Sequence, residues 1–191
     1  IEMRAFMVFL GFLASTSVCW GTDILLSYDD GSDSPPLQIL TVVSYPWAGT
    51  YFELDDFTDS TSVTINSLEL WVRDPGTYRV AVFATEVSWY PSTIVWEDTL
   101  TKEFQLMPLT ASCCVEVEGD CWVGVDRLDG DLFVWNCMVG YSPPPHSYAW
   151  DSFYSPFRLP AQEWYFRAYA SEGSMALSPT TWGFIKAALG N

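Results

Sequence analysis

The sequence predicts an all-β fold, an antiparallel sandwich or barrel of nine or ten short strands. Apolar and polar residues alternate with a period of two in several segments, and turn residues separate these segments at short intervals. No convincing helical pattern occurs before residue 175. Many short strands joined by regular turns are typical of sandwiches and barrels. A short appendage at 171–191 is expected either to dock on the domain or to serve attachment.

Alternation is clearest in the segment 77–85, whose apolar positions share one face of a strand. These positions are Tyr78, Val80, Val82 and Ala84. Similar alternation occurs at 122–125, 131–139 and 163–170. In the last of these segments, the residues expected on one face are Trp164, Phe166, Ala168 and Ala170.

The segment around residue 66 carries a change of phase. Val63 and Ile65 follow one alternation, and Leu68 and Leu70 follow the opposite one. A one-residue β-bulge near Asn66–Ser67, or a short turn there, would return both pairs to the same face. The sequence therefore predicts an irregular strand at this position.

Polar segments rich in Gly, Pro and Asp separate the predicted strands. Arg73–Gly76 is predicted to be a hairpin turn, because Pro fixes one backbone angle and Gly accepts a positive φ. Further loops are predicted at 29–36, 126–131 and 141–147. The last of them contains three consecutive prolines followed by His146, the single histidine of the chain, which is expected to be exposed.

Residues 1–21 are predicted to be a secretory signal peptide preceding a domain at 22–170. Met3–Arg4 gives a positive start, Ala5–Ala14 is mostly apolar, and the small residues that follow suit cleavage. A buried N-terminal strand and a retained membrane-proximal helix are the alternatives. The apolar run is too short for a bilayer, so we expect no membrane span and a secreted or cell-surface location.

The chain is strongly acidic, with 24 acidic and 8 basic residues and a formal net charge of −16. Such a surface repels nucleic-acid phosphates and anionic lipid headgroups, so both are disfavoured as partners. Acidity is explained by solubility in an extracellular setting, but carboxylates are also ligands that calcium prefers. Two acidic loops are calcium candidates, the first with Asp29, Asp30 and Asp33, and the second with Asp126, Asp129 and Asp131. No other cofactor is expected.

Four cysteines remain once the predicted signal peptide is removed: Cys113, Cys114, Cys121 and Cys137. An even number in an exported protein favours two disulfides. Because neighbouring residues in a strand point to opposite faces, Cys113 and Cys114 are expected to bond separately, to Cys121 and Cys137 in either order. A four-cysteine zinc site is the alternative, although the paired knuckle spacing is lacking.

Ten tryptophans and ten tyrosines make aromatic residues the other unusual feature of the composition. Exposed aromatic rings near turns can stack on sugars, and nearby carboxylates can bind sugar hydroxyls. The candidates for sugar stacking are Trp89, Tyr90, Tyr141, Tyr148 and Trp150. The alternative is packing within and across the sheets, where aromatic residues are common.

Signals for catalysis are weak, and we do not expect an enzyme. A Ser-His-Asp triad would have to use His146, and no G-x-S-x-G turn lies near it. An acidic hydrolase of the glycosidase kind needs two carboxylates facing each other in a groove, which a sequence does not reveal. Alternation places Glu116 and Glu118 on one solvent face of a strand, which explains them without chemistry.

Short segments between residues 23 and 170 resemble the jelly-roll-like β-sandwich modules of bacterial secreted and cell-surface proteins. The segments that carry the resemblance are Tyr28–Gly31, Ile65–Val72, Tyr78–Phe83, Val117–Val125, Ser147–Trp150 and Glu163–Ala168. The resemblance implies an accessory role, such as attachment, binding or packing beside other domains, and no shared catalytic residues. The cysteine content departs from this pattern.

The leading expectation is therefore a noncatalytic extracellular module with a structural or adhesive role. Its partners would be other extracellular domains or a second copy of itself. A carbohydrate-binding module with a polysaccharide partner is the alternative, and an acidic hydrolase is the weaker one.

Overall fold

The computed structural model describes residues 23–29, 40–43, 45–85, 90–138, 146–150, 157–158 and 162–172. The predicted signal peptide and most of the predicted tail lie outside the described residues. The same holds for four candidate site residues: Asp30, Asp33, Trp89 and Tyr141.

The described residues form thirteen strands and one short 3₁₀ helix at Leu54–Asp56. The strands are β1 (Asp23–Leu26), β2 (Leu40–Val43), β3 (Trp47–Phe52), β4 (Ser62–Leu70), β5 (Gly76–Ala84), β6 (Thr93–Lys102), β7 (Leu109–Glu118), β8 (Cys121–Arg127), β9 (Leu132–Met138), β10 (Ser147–Trp150), β11 (Phe157–Arg158), β12 (Gln162–Trp164) and β13 (Phe166–Glu172). Every pairing between them is antiparallel. The predicted all-β antiparallel fold is confirmed, with more strands than expected because several are very short. Within this part of the chain, no helix has the length and apolarity needed to cross a bilayer.

The strands form three sheets, whose orders are β1-β13-β4-β7, β11-β10-β3-β8-β5-β6 and β12-β9-β2. The two larger sheets contribute to one apolar core, as expected of a sandwich. Its members include Leu26, Ile65 and Ala168 from the four-stranded sheet and Phe52, Val80 and Val125 from the six-stranded sheet. The jelly-roll connectivity stays a prediction.

Strand β5 illustrates why local alternation identified the core correctly. Tyr78, Val80 and Val82 are fully buried and belong to the main core, as predicted. The predicted β-bulge is also present, because the register of β4 against β7 shifts between Ile65 and Ser67. Both features follow from the two-residue period of side chains along a strand.

The segment predicted as one strand at 163–170 is divided at Tyr165. Strand β12 pairs with β9, whereas β13 pairs with β4 and β1, so the two halves serve different sheets. The predicted face is nevertheless preserved, since the main core contains Trp164, Phe166, Ala168 and Ala170. Strand β13 continues to Glu172, beyond the predicted end of the domain at residue 170.

The segment Arg73–Gly76 is not the predicted hairpin turn. It leaves β4 in the four-stranded sheet and enters β5 in the six-stranded sheet, so it crosses between the two layers. A hairpin and a crossover use the same turn residues, and sequence alone did not distinguish them. The crossover is anchored by the backbone N–H of Arg73, which donates to the carbonyl of Phe133 at 2.9 Å.

Candidate functional site

Two of the predicted sugar-stacking residues lie inside a packed aromatic cluster. This outer aromatic cluster consists of Trp47, Tyr51, Ala81, Phe83, Trp122, Tyr148 and Trp150, and it is separate from the main core. Alternation along β3, β8 and β10 places it on the face of the six-stranded sheet turned away from that core. Tyr148 and Trp150 are both buried, so the expectation that they form an exposed stacking surface is wrong.

Ring packing explains the burial of Trp150. Its indole is parallel to that of Trp47 at 6.0 Å and meets Phe83 and Trp122 edge-on at 5.9 and 5.4 Å. Tyr51 closes the cluster and donates a hydrogen bond of 2.6 Å to the carboxylate of Asp120. Burial and this bond raise the pKa of Tyr51 well above its ordinary value. Of the predicted aromatic residues that the structure describes, Tyr90 is the exposed one.

Three of the acidic residues predicted to bind calcium, Asp29, Asp126 and Asp129, are engaged with arginines. Asp29 accepts hydrogen bonds of 2.7 and 3.0 Å from Arg167, and these bonds raise the pKa of Arg167 above its ordinary value. Asp126 accepts a hydrogen bond of 2.8 Å from Arg79, whose guanidinium also stacks on Trp47 at 4.6 Å. Both carboxylates therefore have a structural partner.

The remaining carboxylates of the second acidic loop do not converge on a common point. Asp129 accepts hydrogen bonds of 3.0 Å from Arg127 and 2.9 Å from the backbone N–H of Thr77. Asp131 is exposed, and its backbone carbonyl accepts a hydrogen bond of 2.8 Å from Arg127. No group of three or more His, Cys, Asp or Glu residues among those described could hold a metal ion. The second acidic loop is thus an arginine-linked turn, and the four cysteines, which were the alternative zinc site, form no such group. Calcium binding stays a prediction, since Asp30 and Asp33 of the first loop lie outside the described residues.

The two predicted disulfides are also corrected, since Cys113, Cys114, Cys121 and Cys137 are all thiols. Their strands belong to three different sheets. The Cys113 thiol donates to the carbonyl of Ile65 at 3.3 Å, and the Cys137 thiol to the carbonyl of Glu163 at 3.6 Å. Burial raises the pKa of Cys113 and of Cys121 to about 12. The thiolate form of these two residues is therefore strongly disfavoured at neutral pH.

The predicted exposed histidine is instead part of a buried polar cluster. This His146 cluster consists of Tyr28, His146, Ser147 and Glu163. Oε1 of Glu163 accepts a hydrogen bond of 2.5 Å from the backbone N–H of His146 and lies 3.1 Å from its Nδ1. Oε2 accepts a hydrogen bond of 2.6 Å from the Ser147 hydroxyl. The cluster fastens β10 of the six-stranded sheet to β12 of the three-stranded sheet.

The ring of Tyr28, in the segment after β1, covers one side of the His146 cluster. It stacks on the His146 imidazole at 3.7 Å, nearly parallel, and its hydroxyl donates a hydrogen bond of 2.7 Å to Asp56. Burial and the bond to Asp56 raise the pKa of Tyr28 well above its ordinary value. The stack connects the segment after β1 to His146, and the hydrogen bond to Asp56 connects it to the 3₁₀ helix.

The geometry of the His146 cluster differs from that of a catalytic triad. A triad serine shares its hydroxyl proton with the histidine, which the acid orients. Here the Ser147 hydroxyl donates to Glu163 and accepts a hydrogen bond of 2.8 Å from the backbone N–H of Trp164. The carboxylate is thus the shared acceptor for its neighbours. This arrangement satisfies buried backbone and side-chain groups, as buried polar residues require.

A second cluster of charges lies where three loops meet at one end of the sandwich. The Asp74 carboxylate accepts hydrogen bonds of 2.6 and 2.7 Å from Arg73 and lies 3.4 Å from Arg127. Gln105 approaches the same carboxylate at 3.5 Å. The Arg73 guanidinium holds the pKa of Asp74 below its ordinary value. Asp74 therefore ties together the loops 71–76, 103–108 and 127–131.

Lys102 holds two of these loops together near the Asp74 carboxylate. Its side chain is buried, and its ammonium donates to the backbone carbonyls of Val72 and Gln105. Burial lowers the pKa of Lys102 to about 8, although the nearby Asp74 carboxylate opposes the shift. The lysine thereby bridges two of the three loops.

Lys102 makes the stability of the domain depend on pH. Its folded-state pKa of about 8 is below the ordinary 10.5, so the unfolded chain binds more protons between these values. The contribution of Lys102 to stability therefore rises with pH in this window. Relative to Lys102→Met, the wild type should gain about 2 kcal/mol in the free energy of unfolding between about pH 7 and pH 10, measured by urea titration. A difference that stays constant over this range would contradict the prediction.

The same end of the sandwich exposes a group of large apolar side chains. This apolar end consists of Phe104, Leu106, Met107 and Leu128, each between 52% and 62% exposed. They are more exposed than any other large hydrophobic residue in the described ranges. The sequence carried a signal for this feature. Between Glu103 and Pro108 the residues Phe-Gln-Leu-Met break the alternation of apolar and polar residues, as expected for a loop and not for a strand.

The comparisons with known proteins do not assign the chain to a family. No family model, no curated protein and no solved structure matches it.

Proposed function

We propose that this chain is a noncatalytic structural or adhesive module of a bacterial surface or secreted protein, and that it associates through its apolar end. The observation that supports this is the exposure of Phe104, Leu106, Met107 and Leu128 at one end of the sandwich. Removing apolar surface from water is the main driving force of association. Contiguous apolar groups on a folded surface are typical of interaction sites.

The base of the apolar end is held rigidly, which favours binding. Asp74 joins the three loops, and Lys102 anchors two of them through backbone carbonyls. A surface that is already ordered loses little conformational entropy when a partner covers it. The exposed apolar side chains therefore belong to loops that are ordered before a partner binds.

The charge distribution favours a second copy of the chain as the partner. The segments 73–76, 102–109 and 127–132 together carry three basic and four acidic residues, a net charge of −1. Because charges of opposite sign nearly balance within these segments, two copies can meet at this end with little net repulsion. A contact between identical patches would form a closed, twofold dimer.

Sedimentation velocity over a range of protein concentrations tests the proposal. We expect a concentration-dependent dimer that strengthens as salt is raised from about 0.01 M to about 1 M, because the Debye length falls from about 30 Å to about 3 Å. The double variant Phe104→Ser/Leu106→Ser should remain monomeric under the same conditions. The matched control is Val95→Ser, an exposed apolar residue on the edge strand β6.

The outcomes distinguish this surface from general stickiness. Loss of the dimer in the loop variant, with the control unchanged, supports association through the apolar end. A wild-type chain that stays monomeric at high salt would overturn self-association. Equal loss of the dimer in the Val95→Ser control would overturn the assignment of the contact to the apolar end.

A further inference from the structure

We propose that a hollow on the outer face of the four-stranded sheet binds one unit of a neutral polysaccharide. The hollow has a volume of about 400 Å³ and is open to solvent. It is lined by β1, by the bulge of β4 and by β13. This site is distinct from the apolar end and does not depend on the function proposed above.

The bulge explains why a hollow exists on an otherwise regular sheet. Asn66 is an extra residue in β4, because Ser67 pairs with Tyr169 while Ile65 pairs with Ala170. The pairing of β4 with β7, on the other side of β4, also shifts register at Asn66. Bulges of this kind bend a strand and redirect side chains, and they often occur next to functional sites.

An apolar surface of suitable size lines the hollow. Leu25 and Tyr169 are directly opposite each other across β1 and β13. Their side chains are 46% and 40% exposed, although both residues are large and apolar. An exposed aromatic ring beside an aliphatic side chain offers a face on which the C–H groups of a sugar ring can pack.

Polar groups with the chemistry needed for sugar hydroxyls surround this surface. Asp23 supplies an exposed carboxylate, and Ser67 supplies a hydroxyl. The Asn66 amide donates a hydrogen bond of 3.2 Å to the Ser171 hydroxyl, but its Oδ1 is buried and has no hydrogen-bond partner in the structure.

The surrounding charge indicates a neutral ligand. Asp23 and the formal net charge of −16 disfavour phosphates, carboxylates and acidic sugars. The hollow is open, so it can hold one unit of a polysaccharide whose other units lie outside it. A site for a small metabolite is normally more enclosed. A single sugar in such an open site should bind weakly, with a Kd on the order of 1 mM.

Affinity electrophoresis in gels containing hydroxyethyl cellulose, xylan or galactomannan tests the proposal. We expect at least one of these polysaccharides to retard the wild-type chain. Tyr169→Ala should weaken the binding by about tenfold or more, and Asp23→Asn should weaken it measurably. Tyr45→Ala is the matched control, since Tyr45 is an exposed tyrosine outside the hollow, and Tyr90→Ala tests the exposed residue that the sequence predicted to stack on sugars.

Melting temperatures of all variants show whether each one is folded. Asp23 is exposed on the edge strand β1, so Asp23→Asn provides a second test should Tyr169→Ala fail to fold. Absence of retardation in all three gels would overturn the proposal. It would also be overturned if Tyr90→Ala abolished binding while the hollow variants bound normally.

Discussion

Replacing Glu163 with alanine should destabilise the domain by about 3 to 5 kcal/mol, because it leaves buried hydrogen-bonding groups without their shared acceptor and opens a cavity. Glu163 is only 3% exposed, and its carboxylate accepts hydrogen bonds from the His146 backbone N–H and the Ser147 hydroxyl and lies 3.1 Å from Nδ1 of His146. In the variant these groups stay buried and lose their acceptor, and a cavity replaces the carboxylate. Equilibrium unfolding in urea measures the change in the free energy of unfolding.

Glu163→Gln and an exposed glutamate provide the comparison for this prediction. Glutamine retains one acceptor oxygen, so it should cost less, about 1 to 3 kcal/mol. Glu97 lies exposed on β6, and Glu97→Ala should change the stability by no more than about 0.5 kcal/mol. A cost below about 1 kcal/mol for Glu163→Ala would show that the cluster does not hold β10 and β12 together.

Replacing Gly49 with alanine is expected to cost about 3 kcal/mol or more, or to prevent folding, since overpacking a rigid site is strongly destabilising. A Cβ at residue 49 would lie 2.3 Å from Cη2 of Trp150 and 2.7 Å from the backbone oxygen of Val123. Trp150 is fully buried between Trp47 and Phe83, so its ring has little room to move. Thermal unfolding and far-ultraviolet circular dichroism report the outcome.

Gly124 also lies against the Trp150 ring, and its replacement with alanine is a milder control. The three atoms nearest to a Cβ there belong to the side chains of Phe83 and Trp150 and lie at 3.1 to 3.3 Å. Gly124→Ala should therefore cost about 1 kcal/mol, less than Gly49→Ala. Combining Gly49→Ala with Trp150→Leu should recover part of the loss, because the two residues share one contact. Equal costs at both glycines would contradict the packing described for the outer aromatic cluster.

Local pattern was sufficient for features that depend on neighbouring residues along the chain. The buried face of Tyr78, Val80 and Val82 follows from alternation, and so does the bulge at Asn66. Each of these features is specified within a single strand. The sequence therefore predicted the strand faces and the fold class.

The sequence did not predict features that depend on distant residues. His146 follows three prolines and looked exposed, but its burial depends on Glu163 and on the ring of Tyr28. Trp150 was a candidate for an exposed ring because it lies near a turn, yet Trp47 and Phe83 from other strands cover it. Which sheet a strand joins is a property of the whole packed chain, and alternation alone does not encode it.

The pairing of β13 with both β1 and β4 has a consequence for the order of folding. Strand β13 begins at residue 166, whereas β1 begins at residue 23, so the four-stranded sheet needs contacts between distant parts of the chain. Such contacts impose a large loop-closure entropy and are typical of slow-folding β proteins. During synthesis, β1 and β4 must wait for residues 166–172 to leave the ribosome before they acquire their shared neighbour. A nascent chain arrested before that point should consequently remain sensitive to protease along β1, whose partner strand among the described residues is β13.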